Sequence, residues 1–115
     1  MSLLGIIGLS ITEILGDTSL KEYANGKGIF YLGIGVLGYV GVIILLIINL
    51  QGSTLLIVNN AWDGTSSLIG SLYAYAILGE RFDNYLQYIG AIFIIFGLYF
   101  LKIPLKRTHP FYIPA

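Results

Sequence analysis

The chain has 115 residues, of which 57% are hydrophobic and 10% charged, against roughly 25% charged in an ordinary soluble domain. Six Lys and Arg balance six Asp and Glu, so no basic face offers itself to nucleic acid. With no cysteine and one histidine, the sequence holds no disulfide framework, no thiolate metal site and no paired groups for hydrolysis; neither an enzyme nor a bound cofactor or metal is expected.

All charges but Glu13, Asp17 and Asp63 fall in connecting segments or the tail. The remaining sequence divides into four apolar blocks, each long enough to cross a bilayer. The expected fold is therefore an all-α integral membrane protein. Residues 1–103 form a four-helix transmembrane domain with spans of about 3–20, 28–50, 55–78 and 85–101, and residues 104–115 form a short basic and aromatic tail. At about 1.5 Å of rise per residue, the shortest span is close to the roughly 30 Å of hydrocarbon to be crossed.

The first span lacks the basic start and small-residue cleavage site of a signal peptide and carries acids, so it reads as a mature helix. Ser10, Glu13 and Asp17 lie within roughly 60° of one another around its axis. An acid at mid-depth costs about 2.5–3.5 kcal/mol by insertion scales, which the surrounding leucines and isoleucines can offset. Glu13 has no Lys or Arg within reach along its own helix and is by default a proton site; the alternative is a neutral acid that binds a neighbouring helix. Asp17 has two readings, a second site acid or half of an i, i+4 ion pair with Lys21.

"KEYANGK" then supplies a polar linker with a helix-stopping Asn-Gly. In the second span Gly35, Gly38 and Gly41 thin the face beside Tyr39, letting a helix or ligand approach. After the tight turn "QGS", the third span carries a second polar stripe: Asn59, Asp63 and Ser66 within about 40°, Gly70 near them, Trp62 and Tyr73 on the flanks, and Asn60 beside it. Such a face must look at another helix or a wet cavity. Trp62 beside Asp63 pairs a π face with a negative charge, as a cation site would; the alternative is that the Asn and Ser side chains only tie helices together. The fourth span follows "GERFDN" and has no mid-span polar group, but Gly90 and Gly97 share one face as a packing seam. In the tail, His109 reads as a solvated residue.

With four alternating spans, Lys102, Lys106 and Arg107 lie on one side and Lys21, Lys27 and Arg81 on the other. Three against three gives no charge bias. Two expectations remain open: insertion in both orientations with antiparallel pairing, or one orientation fixed by which helix inserts first.

In order, the lone mid-helix Glu of "TEILGDTSLK", the second-span Tyr, "AWDG", "GERFD" and the Gly90/Gly97 pair resemble the small multidrug resistance transporters of the drug/metabolite transporter superfamily, over nearly the whole chain to Leu101. The resemblance implies an antiparallel homodimer whose two Glu13 side chains bind either protons or a cationic substrate, with Trp62 and Tyr39 lining the cavity and Gly90 and Gly97 at the dimer seam. Asp17 and Asp63 stand where that family has uncharged residues. A dimer would then hold six intramembrane acids, which points to a more polar, even polyvalent, cation.

The expected activity is proton-coupled export of a small organic cation across the cell or plasma membrane, by competition with protons for Glu13. Ser10, Asp17, Tyr39, Asn59, Asn60, Trp62, Asp63 and Ser66 complete the expected substrate and proton site. Two rivals are a small oligomeric cation channel, whose acids form rings that attract ions without coupling, and a subunit of a heterodimeric transporter that is inactive alone.

Overall fold

The structure, a computed structural model, describes residues 1–105; the tail residues Lys106, Arg107 and His109 lie outside the described residues. Each apolar block folds as one helix: α1 (Leu3–Ala24), α2 (Ile29–Leu50), α3 (Leu55–Ala76) and α4 (Tyr85–Leu101). No strand occurs among the described residues.

Local chemistry sets the helix ends. Ser2 Oγ accepts the Gly5 N–H at 3.1 Å and Thr54 Oγ1 accepts the Ile57 N–H at 3.3 Å, each satisfying a donor that the first turn leaves open. Asn84 and Gln87 form a capping box at the start of α4. The first helix runs four residues past its expected end at Leu20, because Lys21, Glu22 and Ala24 are good helix formers and the chain turns only at Gly26, in the left-handed region with φ 81°. The third stops two residues before its expected end. Gly79 (φ 71°) reverses the backbone there and brings the Glu80 N–H back to the Ala74 carbonyl at 3.0 Å.

The helices run alternately up and down. At one end the Met1 ammonium donates to Ser53 Oγ (3.1 Å) and the Leu3 N–H to the Pro104 carbonyl (2.7 Å), gathering the N-terminus, the turn at 51–53 and the exit of α4. At the other end, Lys21 Nζ lies 3.1 Å from Glu80 and joins the other two linkers. Lys27 pairs with Glu22 at 2.8 Å. Hydrogen bonding to that carboxylate pushes the Lys27 ammonium above its ordinary range.

Spatial order differs from chain order. α1 packs between α2 and α3, and α4 packs on the outer flank of α3, giving a slab whose thinnest dimension is 18 Å. Glycines set the α1–α2 spacing: a Cβ on Gly38 would stand 3.0 Å from the Gly16 Cα, and one on Gly41 would stand 3.0 Å from Thr12 Cγ2. The thinned face of the second helix is thus occupied by α1. Asn49, buried near the end of α2, donates to the Gly5 carbonyl at 3.3 Å and to the Leu45 carbonyl at 2.8 Å, fastening the two helices where the glycines end.

The apolar core sits at the end that holds the chain's start. Met1, Ile6, Val58 and Ala61 are buried, and Leu50, Trp62, Leu101 and Ile103 are among the side chains that close around them. Elsewhere Leu9 and Val42 are also buried, but many apolar side chains face outward: Leu37 is 71% exposed, Phe93 69% and Phe100 73%. α1 and α2 are long and apolar enough to cross a membrane. α4 is apolar but has 17 residues, and α3 matches the first two in length while carrying the polar stripe.

Candidate functional site

Glu13 stands on α1 two turns beyond the core residue Ile6. It is half-buried, and Ser66 of α3 is close enough to interact with its carboxyl. The Ser66 hydroxyl reaches back to the Asp63 carbonyl at 3.4 Å. Asp17 and Asp63 are close enough for their charges to act on Glu13, so this carboxyl is surrounded by negative charge. The two polar stripes do meet. Helical parallelism produces this: α1 and α3 run the same way, and Ile14 lies against α3 beside Gly70, one turn beyond Ser66.

Asp17 does not pair with Lys21, which is one of its two readings. Lys21 goes to Glu80, and Asp17 accepts a hydrogen bond from the Tyr39 hydroxyl of α2. Tyr39 is thereby placed beside the acids, with its ring edge over Gly16, where a methyl group would meet it at 3.1 Å.

The other predicted residues divide. Asp63 is exposed beside the Glu13–Ser66 contact. Asn59, one turn earlier on α3, is half-buried. Asn60 is exposed and bonds its own helix, Nδ2 donating to the Leu56 carbonyl at 2.8 Å. Ser10 is completely buried. Trp62 rests against the Met1–Ile6–Val58–Ala61 core, so its ring contributes to packing. Gly90 and Gly97 are exposed, and a Cβ on either would meet nothing within 4 Å in this chain.

A groove of about 680 Å³ runs between α3 and α4, with Ser66, Ser71, Tyr75, Arg81, Tyr88 and Ile95 among its lining residues. It touches the Glu13 site through Ser66. At its mouth the Arg81 guanidinium lies 3.6 Å from the centre of the Tyr75 ring and donates to the Tyr75 and Glu80 carbonyls, each at 2.7 Å. Tyr88 meets both Tyr75 and Phe82 edge-on. Sequence reasoning missed this aromatic corner, because Tyr75, Phe82 and Tyr88 belong to three segments. It also missed Asn49, whose signal was present: a lone amide in an otherwise apolar run must find a partner.

The basic groups of the linkers are engaged elsewhere: Lys21 by Glu80, Lys27 by Glu22, and Arg81 by two carbonyls and a ring. Among the described residues the arrangement leaves a cluster of carboxyls with hydroxyl and phenol donors and no recorded ion pair, which can bind a proton or a small cation. Compared with protein-family models, with characterised proteins and with solved structures, the chain finds no significant match.

Proposed function

We propose that the chain is a multi-pass integral membrane protein that exports small, polar or polyvalent organic cations in exchange for protons, as an antiparallel homodimer. One observation carries the reading: Glu13 is half-buried against Ser66 among two further acids, while Lys21, Lys27 and Arg81 are paired elsewhere. A carboxyl in that setting takes its counter-charge from outside the chain. A proton and a cation then compete for it, and competition is the basis of exchange.

Three further features support the reading. Apolar side chains cover the outside of the helices, as lipid contact or a partner requires. The apolar core lies between one end of the slab and Glu13, and a site shut off from one side is what alternating access requires. The ordered motifs resemble those of the small multidrug resistance transporters. Two Glu13 carboxyls meeting in a dimer would titrate as one coupled pair, so each cation entering displaces protons and each proton entering displaces the cation.

The test is transport by the purified chain in liposomes with an imposed proton gradient. Glu13→Gln should abolish proton-driven uptake of organic cations while the protein still folds and inserts. Full coupled transport by that variant would refute the assignment. Currents of many ions that ignore the proton gradient would identify a channel instead.

A further inference from the structure

Two polar atoms in the described chain are buried without a partner: the Ser10 hydroxyl, on a side chain with no exposure, and the Trp62 indole N–H. Their location follows from the α1–α3 register. Glu13 meets Ser66, and one turn earlier on each helix stand Ser10 and Trp62, about 4.5 and 6 Å back along the helix axes. One turn earlier still, Ile6 and Val58 belong to the dry core. Both unpaired groups thus lie between an apolar floor and the Glu13 carboxyl.

Leaving a hydroxyl and an indole N–H dry costs free energy, and alanine and phenylalanine would fill the same places without that cost. The chemistry of the pair is specific. The indole N–H can only donate, whereas the hydroxyl can donate or accept. One group that satisfies both is a hydrogen-bond acceptor oxygen. The Trp62 ring is already packed on the core, so what it has left to offer a guest is its N–H.

Building on the exchange reading above, we infer that the site selects an organic cation carrying a neutral acceptor oxygen a short alkyl spacer away from its charge. The charge goes to Glu13, and the oxygen goes to Ser10 and Trp62. Ser10 and Trp62 are then the specificity-determining residues. Water offers the same acceptor chemistry, and the experiment separates the two.

The experiment compares 3-amino-1-propanol with n-butylamine, both protonated at neutral pH and differing by a hydroxyl in place of a methyl. Binding to the solubilised full-length chain is read by calorimetry and by the emission of Trp62, the one tryptophan in the sequence. The amino alcohol should bind about ten-fold more tightly, since the analogue leaves buried polar groups unpaired, and it alone should shift the emission. Ser10→Ala and Trp62→Phe should each narrow that gap, to about two-fold or less when combined. Ser10→Ala removes one unpaired oxygen and should fold at least as well as the parent, so it carries the test even if Trp62→Phe does not fold. Equal affinities in the parent, both abolished by Glu13→Gln, would mean that the two groups hold only water; that result overturns this inference and leaves proton exchange standing. Binding indifferent to Glu13→Gln, or no binding of either amine, overturns both.

Discussion

Asp17 has a lysine one helical turn away and takes a tyrosine from another helix instead. An exposed i, i+4 ion pair contributes only about 0.3–0.5 kcal/mol, so the helix loses little when Lys21 turns to Glu80 across the linkers. A phenol donating to a carboxylate is a charge-assisted bond, and it joins two helices. Tyr39→Phe should therefore cost about 1 kcal/mol of stability after allowance for exposure, and Lys21→Met under about 0.5 kcal/mol. Denaturant melts of the solubilised protein decide between them, and equal losses would contradict the assignment. The sequence made the polar faces of Glu13 and Asp63 legible, because helical spacing fixes which residues share a face. It did not reveal the partner of Asp17, which depends on the neighbour that packs there.

At the scale of elements, the four blocks were legible because length and apolarity dominate everything else in them. Their spatial order was not. Nothing in the periodicity states that α1 lies between α2 and α3, and the glycines of α2 do not announce which helix they admit. The closeness they permit is measurable. A methyl at Gly38 would press on the Gly16 backbone, which cannot move aside as a side chain could, so Gly38→Ala should destabilise by about 1–3 kcal/mol. Gly8 and Gly33 have open space where a Cβ would stand, and alanine at either should be neutral or stabilising by up to about 1 kcal/mol. If all three variants melt alike, close backbone approach is not what holds this seam. Asn49→Leu removes the side chain that bonds Gly5 and Leu45, with an expected loss of about 1–2 kcal/mol in the same melts.

The whole molecule is an 18 Å slab with a small core at one end, and α4 has no buried residue. A partner copy would cover its outer face, and the proposed dimer places that contact at Gly90 and Gly97, which are open in the single chain. The orientation of the two copies is a question of charge. Were all four helices to span, as proposed, the sequence would give each side three basic residues, Lys102, Lys106 and Arg107 against Lys21, Lys27 and Arg81, and the usual bias toward a positive cytoplasmic side would be absent. Antiparallel pairing needs both orientations in one membrane. A tag after Ala115 should accordingly be reached from both faces of the membrane in the parent chain, and two lysines appended at the same place should raise one side from three to five and confine the tag to the cytoplasmic face. Transport should fall with that confinement. It should return when the appended chain is co-expressed with a counterpart carrying two extra lysines in the 80–84 linker, because the two then supply opposite orientations. A parent tag reached from only one face, or undiminished transport by the confined variant alone, would mean that one orientation suffices and the antiparallel dimer is wrong.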